Sequence, residues 1–526
     1  MVPLPSLVLG GRIDVGFKGQ AMSKFDREDG REQRSADEGI IAKGGEIKKF
    51  GVFVAMVLGL AGTAWASTAL ADDIMVAKAP PPPAQPAPAA CTGVVEFFTT
   101  SCPLSWYGIT VYGTVDTGVS WQSHGTPFNR SYGPGTEPLV SSNGNRALWN
   151  IAPNGLSQSN IGIKGKEEFA PGWSFIFDLQ AGFDPYSLQL ANGPKSQLEN
   201  NGVAAANQSS NGDSSRAGQF YNSVGYAGIS SPTYGTLTVG RQNSLTLDGV
   251  IAYDPQAASY AFSLIGYSGV TSGVGDTEDA RFSTAVKYRV DIGQFRVASL
   301  YQFGGYLLNN ASTDAYQVQV GGDFSAGAYG KVSFDAIYSS VHDAVLSLPL
   351  TPAQNALFPH TLAARISDDS SVMLLGKYTY GPVQLYAGYE YISFEAPSHP
   401  QTTFINIGGY TVVSADISNT FFDGRKLQVF WTGAKYAVTS DIDLIGAYYH
   451  VDQNSFATGV NAGCRSTVSS QCAGTEDALS LAVDWRFAKK FDAYAGFMYS
   501  KVNNGLASGF LFNNTINPTA GLRFRF

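Results

Sequence analysis

Four cysteines are the residues whose type and spacing most directly suggest chemistry. They form two close pairs, Cys91 with Cys102 and Cys464 with Cys472. Such pairs suit either local disulfides or metal binding through thiolates. A metal site would need further ligands beside each pair, and no His lies close to either pair in the sequence. The spacing therefore favours two disulfides, each closing a short loop.

Histidine-based catalysis has little support in the sequence. His124, His342, His360 and His399 fall in predicted loops, and His450 lies near a predicted strand end. The chain has no G-x-S-x-G nucleophile motif and no readable Ser/Asp constellation. We therefore expect no enzymatic activity and no cofactor, with a lipid hydrolase built on a membrane barrel kept as the weakest alternative.

The element that must position any functional groups is visible at the end of the chain. Residues 519–526 alternate strictly, so that Leu522, Phe524 and Phe526 share one face, while Gly521 and two arginines share the other. An open terminal strand with one apolar face invites aggregation in a soluble domain. The pattern predicts instead that this strand closes a barrel whose outer surface contacts lipid.

The first predicted strand has the same two-residue period. Within residues 107–121, Ile109 and Val111 share one face with further apolar residues, and Tyr112 and Asp116 lie on the other. Charged residues on the polar faces of this and other strands include Asp116, Lys164, Lys166, Asp484 and Arg486. Such charge would be very unfavourable in a sandwich core, but it is typical of a water-filled barrel lumen.

The connections between these strands alternate in length. Seven tight turns are predicted, near residues 170–172, 231–235, 291–293, 325–328, 381–382, 439–441 and 488–490. Eight longer loops are predicted near residues 122–157, 184–217, 244–280, 307–315, 342–368, 395–425, 452–476 and 504–516. Together they predict an all-β fold, a 16-stranded antiparallel transmembrane barrel with short periplasmic turns and long extracellular loops.

The composition agrees with a membrane barrel. Charged residues make up 14% and aromatic residues 13% of the 526 residues, and there are 59 glycines. Alternating membrane strands produce this blend, because half of their positions are apolar and half are small or polar. A helical membrane protein would be far more hydrophobic.

A targeting segment lies unusually far into the chain. Lys48 and Lys49 precede an uncharged run that ends in small residues at Ala69-Leu70-Ala71, which is typical of a secretory signal with its cleavage site. A transmembrane anchor is the alternative, since the run could just span a bilayer. We expect residues 48–71 to be a signal peptide and residues 1–47 to be a disordered extension or a mis-assigned start.

The segment after the expected cleavage site is rich in proline and alanine. Residues 72–104 are expected to be a periplasmic spacer that contains the Cys91/Cys102 loop, and residues 105–526 the barrel. Without residues 1–71 the chain has 25 Lys and Arg against 34 Asp and Glu, a formal charge of −9. This acidic balance argues against a nucleic-acid partner.

Several segments resemble the Gram-negative general porins, in a variant like those of alphaproteobacteria. They are Val-Tyr-Gly-Thr-Val-Asp at 111–116, Ser-Asn-Ile-Gly-Ile-Lys-Gly at 159–165, Tyr-Gly-Thr-Leu-Thr-Val-Gly-Arg-Gln at 234–242, and the final Phe526. The resemblance covers about residues 106–526. It implies an outer-membrane homotrimer that passes small hydrophilic solutes, contacts lipid and lipopolysaccharide, and is inserted by the barrel-assembly machinery.

The resemblance also implies a pore constriction. In such porins the third long loop folds into the lumen and faces basic residues on the wall. Here residues 244–280 would be that loop, and Asp116 would face the lumen on the first strand. The loop carboxylates are Asp248, Asp254, Asp276 and Glu278, and the facing basic residues are Lys164, Arg281 and Lys287 by parity, with Arg241 by resemblance. Counted from Leu237 and Val239, however, Arg241 should face lipid unless the strand ends or bulges at Gly240.

These observations predict a channel with a mild preference for cations, because acidic residues are in excess and carboxylates line the third loop. A surface-recognition or adhesin barrel is the main alternative. A soluble β-protein is a weaker one.

Overall fold

The computed structural model describes residues 90–123, 147–183, 185–186, 188, 190, 198, 201–203, 220–265, 281–407, 409–509 and 512–526. The expected extension, the signal peptide and residues 72–89 of the spacer lie outside the described residues, as do Asp276 and Glu278. Their assignments stay predictions. No helix in the described ranges is both long enough and apolar enough to cross a membrane.

The described residues form twenty β-strands and three α-helices. The strands are β1 (Leu104–Trp106), β2 (Ile109–Gln122), β3 (Leu148–Pro153), β4 (Asn160–Ala170), β5 (Trp173–Gly182), β6 (Val224–Ser231), β7 (Gly235–Asn243), β8 (Arg281–Ile292), β9 (Phe295–Gln302), β10 (Asp314–Ser325), β11 (Lys331–Leu348), β12 (Leu362–Tyr380), β13 (Val383–Glu395), β14 (Ile405–Ile407), β15 (Tyr410–Ser418), β16 (Lys426–Ala437), β17 (Ile442–Gln453), β18 (Gly474–Ala488), β19 (Phe491–Asn504) and β20 (Asn514–Arg525). The helices are α1 (Val94–Thr99), α2 (Leu245–Tyr253) and α3 (Pro352–Leu357).

Sixteen of these strands close into one antiparallel barrel, which confirms the predicted fold class. Strand β2 pairs with β4 on one side and with β20 on the other. Within the barrel wall, β13 pairs directly with β16, although β14 and β15 lie between them in the sequence. The short strands β1, β3, β14 and β15 add pairings at the two rims. A closed barrel leaves no strand edge exposed to lipid.

The closing seam joins the first and last barrel strands, as the terminal alternation predicted. Strands β2 and β20 pair from Thr114 with Arg525 to Ser120 with Thr519. Beyond this ladder, Gly113 and Phe526 exchange two backbone hydrogen bonds of 3.0 Å. The chain's last residue is therefore part of the closure. Without it, Gly113 would keep unpaired backbone groups at the membrane boundary.

The connections follow the predicted alternation of short turns and long loops. Seven short turns join β4–β5, β6–β7, β8–β9, β10–β11, β12–β13, β16–β17 and β18–β19. Strands β11 and β12 are longer than predicted, with 18 and 19 residues. A tilted strand needs only about ten residues to span a bilayer, so these two strands continue beyond the membrane on the loop side.

The two faces of the wall differ as the two-residue period requires. On β12, the outward Val372 and Leu374 are 42% and 51% exposed, while the inward Met373 is fully buried. One part of the interior differs from the charged, wet lumen that the sequence predicted. Ile337, Met373 and Leu375 form an apolar patch on the inner wall, because helix α2 packs against them.

Both cysteine pairs are disulfides. Cys91 and Cys102 enclose helix α1, with their Cα atoms 5.1 Å apart. Cys464 and Cys472 close a loop between β17 and β18, with their Cα atoms 4.9 Å apart. The described residues contain no free cysteine.

Candidate functional site

The third long loop folds into the barrel through helix α2. Ser244 caps the helix, since its hydroxyl accepts a hydrogen bond of 3.0 Å from the Leu247 backbone N–H. Gln317 of β10 accepts a second bond, of 2.6 Å, from the Leu245 N–H. Leu245, Leu247 and Val250 are almost completely buried. The helix is apolar enough to lie on the inner wall, and hydrogen bonds fix its first turn there.

Asp254 follows this helix and ties the loop to the wall. Its carboxylate accepts a hydrogen bond of 2.7 Å from the Tyr449 hydroxyl and one of 2.8 Å from the Ala258 N–H. The carboxylate is nearly inaccessible, with 2% of the residue exposed. Burial raises the pKa of the Asp254 carboxyl, and the bond from Tyr449 opposes this shift. The structure therefore places Asp254 behind the loop surface, away from water in the pore.

Asp248 joins the third loop to the barrel wall. Its carboxylate forms an ion pair with the Lys287 ammonium, which also donates to the Asn243 carbonyl at 3.1 Å. Both side chains stay partly exposed. Arg281 is the first residue of β8 and lies opposite Asn243 in the ladder. These residues thus lie where the third loop leaves and rejoins the wall.

Arg241 is turned inward by a β-bulge. The pairing of β7 with β8 shifts register between Gly240 and Gln242, and Gly240 has a φ of 134°. Arg241 Nε donates to the Asn222 carbonyl at 2.9 Å and Nη1 donates to Ser283 Oγ at 2.8 Å. With 4% exposure, Arg241 is buried. The sequence left open whether Arg241 faces lipid or whether the strand bulges at Gly240. The structure has the bulge.

Lys164 and Asp116 differ sharply in their access to the lumen. Lys164 is exposed, and its Nζ lies 4.9 Å from the centre of the Tyr112 ring. Asp116 is fully buried and accepts hydrogen bonds from the Tyr494 hydroxyl at 2.6 Å and from the Ser157 N–H at 2.8 Å. Asp116 thereby ties the first long loop to the closing seam.

The lumen between the third loop and the short turns contains an open volume of about 750 Å³. Its wall carries five basic side chains, Lys377, Lys435, Arg486, Arg523 and Arg525. Lys377 Nζ donates at 3.0 Å to the Ala252 carbonyl at the end of α2. Loop and wall together therefore border one polar, charged passage.

Two aspartates organise most of this basic group. Asp443 binds Lys435 at 2.6 Å and Arg486 at 2.7 Å. Asp492 binds Arg523 at 2.6 Å and Arg525 at 2.9 Å. Each carboxylate is almost completely buried behind the cations that it holds. The side chains facing the water are therefore fixed in position.

Comparison with known proteins agrees with this geometry. The sequence profile of the Gram-negative porins matches residues 54–505. The chain belongs to the Gram-negative porin family. An outer membrane porin protein of Bordetella pertussis is 23% identical to this porin over 354 residues, which are 65% of this chain and 80% of the relative. This porin is an outer-membrane β-barrel.

One solved porin shares the barrel fold at low sequence identity, and a second structure is similar to a lesser extent. The anion-selective porin from Comamonas acidovorans has a TM-score of 0.51 and 14% identity, over 80% of this chain and 99% of its own. OmpT of Vibrio cholerae in its trimer form has a TM-score of 0.49 and 14% identity, over 80% and 99% of the two chains.

Sequence reasoning did not assign the porin's cavity residues to the constriction. The two-residue alternation did place Arg486, Arg523 and Arg525 on the inward face of the barrel wall. This alternation is the signal from which they could have been identified as cavity residues. It could not show that Asp443 and Asp492 gather basic residues from neighbouring strands. The roles of Lys164, Arg241, Arg281, Lys287, Asp116, Asp248 and Asp254 at the constriction stay predictions.

Proposed function

We propose that this porin forms a water-filled channel for passive diffusion of small hydrophilic solutes and ions across the outer membrane. The single observation that carries the proposal is the third loop, held against the inner wall beside a charged open volume. A loop held in this way narrows a barrel without filling it. Fixed charges at the narrow point then act on each solute that passes.

The test is conductance in a planar bilayer. Purified porin should give stepwise increases in current, each step corresponding to one inserted channel or oligomer. The same protein unfolded in denaturant and diluted into the chamber is the control and should give no steps. If the folded protein gives no steps, the channel proposal is wrong.

Selectivity is proposed to be mild and in favour of cations. The charge of −9 outside residues 1–71 supports it. Around the open volume, Asp443, Asp484 and Asp492 offset part of the charge of the five basic side chains, which supports a weak preference for cations over a strong one. Mobile ions screen exposed charges over a distance of about 10 Å at 0.1 M salt, and over a shorter distance at higher salt. The preference for cations should therefore shrink as the salt concentration rises.

The zero-current potential under a KCl gradient measures this selectivity. Asp248→Asn should shift the potential toward anions, since Lys287 loses its partner, whereas Lys435→Gln should shift it toward cations. An anion-selective wild type at low salt would contradict the proposed preference while leaving the channel itself intact.

The function is proposed to be non-enzymatic. His399 Nδ1 lies 3.0 Å from Asp343, and His450 Nδ1 lies 2.8 Å from Asp477. Within the described ranges, neither ring is hydrogen bonded to a serine, threonine or cysteine side chain that it could activate.

We also propose the partners that family membership suggests. They are two further copies of the chain in a homotrimer, surrounding outer-membrane lipid and lipopolysaccharide, and the barrel-assembly machinery during insertion. Chemical cross-linking of intact outer membranes should give a trimer band. A monomer alone would contradict the homotrimer.

A further inference from the structure

Two arginines meet at the loop end of the barrel. Arg365 is near the start of β12, and Arg425 immediately precedes β16. Their guanidinium carbons lie 5.4 and 5.0 Å from the centre of the same ring, Phe422. Arg365 also lies 3.5 Å from the centre of the Phe421 ring. Both cations therefore lie near the same aromatic ring.

The two guanidiniums differ in what they bind. Arg425 Nε donates at 2.9 Å to the Gln453 side-chain oxygen. The Arg365 guanidinium makes no hydrogen bond or ion pair within the part of the chain that the structure describes, and it lies against the rings of Phe421 and Phe422. Because Arg365 is only half-buried, its donors can be reached from water. A guanidinium fork held flat and left without an acceptor is suited to carboxylate or phosphate oxygens.

The local charge is positive. Burial, followed by the nearby Arg365 charge, lowers the pKa of Arg425 to about 10, and Asp369 opposes this shift. Both arginines are therefore charged at neutral pH, and Asp369 is the carboxylate that acts on Arg425. An anion between the two guanidiniums would relieve their repulsion.

The second disulfide supports this arrangement. The Gln453 amide donates at 2.9 Å to the carbonyls of Ser470 and Cys472, so its oxygen is directed toward Arg425. The Cys464–Cys472 loop thus holds one arginine in place through Gln453.

We propose that Arg365 and Arg425 form a binding site for small oxyanions, phosphate or carboxylate, at the extracellular mouth of the channel. The location rests on the proposed channel function, and the binding itself does not. An anion held there would be concentrated at the entrance before it diffuses through the lumen.

Titration calorimetry with inorganic phosphate at pH 8 tests the site in the full-length porin in detergent. Wild type should bind one phosphate per chain. Arg365→Gln should weaken binding by about tenfold or more, as expected for loss of a bidentate charged contact. Arg365→Lys keeps the positive charge but not the forked geometry of the guanidinium, so its phosphate affinity should lie between those of wild type and Arg365→Gln. Lys426→Gln is the matched control, because it removes an exposed positive charge next to Arg425 in sequence, and it should bind like wild type.

Malonate in place of phosphate distinguishes carboxylate from phosphate recognition, and binding of either anion supports the site. Equal affinity in wild type, Arg365→Gln and Lys426→Gln, or no binding of either anion to wild type, would overturn it. If Arg365→Gln does not fold, the comparison of Arg365→Lys with Lys426→Gln decides. Failure of the site leaves the current steps in KCl unchanged, whereas failure of the channel abolishes them in every variant.

Discussion

Lys490 Nζ lies 4.0 Å from the centre of the Phe97 ring and donates a hydrogen bond of 2.9 Å to the Cys102 carbonyl. This contact fastens the loop closed by the first disulfide onto the end of the barrel. Phe97 also meets Phe524 and Phe526 edge-on, at centroid distances of 6.1 and 6.2 Å. The loop therefore covers the aromatic end of the closing strand.

The loop closed by the first disulfide acts as a cap on this end of the barrel. Breaking the cap should loosen the N-terminal segment before the barrel unfolds. In the double variant Cys91→Ser, Cys102→Ser, a loop of this length loses about 2 to 3 kcal/mol of stabilisation by the chain-entropy estimate. Lys490→Gln should have a smaller effect of the same kind. Lys489→Gln, at the exposed neighbouring position, is the control. Limited proteolysis should cleave near α1 faster in the first two variants and at the wild-type rate in the control; equal rates in all would contradict the cap.

Deleting residues 522–526 should prevent closure. The deletion removes the partners of Thr114 to Thr117 on β2 and the bonds between Gly113 and Phe526. Unpaired backbone groups in lipid cost several kcal/mol each. We expect the protein to aggregate or be degraded in the periplasm. Wild-type amounts of heat-modifiable barrel in the outer membrane would show that this strand is dispensable.

Gly240→Ala should destabilise the barrel by removing the bulge that turns Arg241 inward. A Cβ at Gly240 would lie 2.3 Å from the Gly225 carbonyl oxygen, at a φ that side chains rarely adopt. Gly172→Ala is the matched control, since Gly172 also has a positive φ of 73° but nothing within 4 Å of the added atom. The urea midpoint should fall by more in Gly240→Ala than in the control, whose cost should be about 1 kcal/mol. Equal midpoints would show that the bulge tolerates a side chain.

Asp254→Asn should loosen the third loop. The amide nitrogen cannot accept the bonds that both carboxylate oxygens now receive, and losing one buried partner costs about 1 to 3 kcal/mol. We expect noisier single-channel currents and, because the loop moves, a changed conductance. Asp248→Asn serves for comparison: it should change selectivity with little added noise. An Asp254→Asn channel as quiet as wild type would mean that other contacts suffice to hold the loop.

The sequence by itself determined the barrel. A two-residue period identifies a strand with two unlike faces, and turn residues mark its ends, so strand number, connection lengths and closure at Phe526 could be predicted. The pairing of the cysteines could also be predicted from the sequence, because each disulfide closes a short loop. All these features depend either on interactions between residues that are close in the chain or on the two-residue alternation within a single strand.

Only the tertiary structure decided which charged residues meet water. Asp116 and Asp254 carry the residue type expected at a constriction, yet hydrogen-bond donors from distant segments surround them, and both are buried. Likewise, Arg365 and Arg425 are 60 residues apart and come together through Phe422. Strand register and the folding of loops into and over the lumen set these distances. Neither is encoded in the period of any single strand, because both depend on contacts between segments that are remote in sequence.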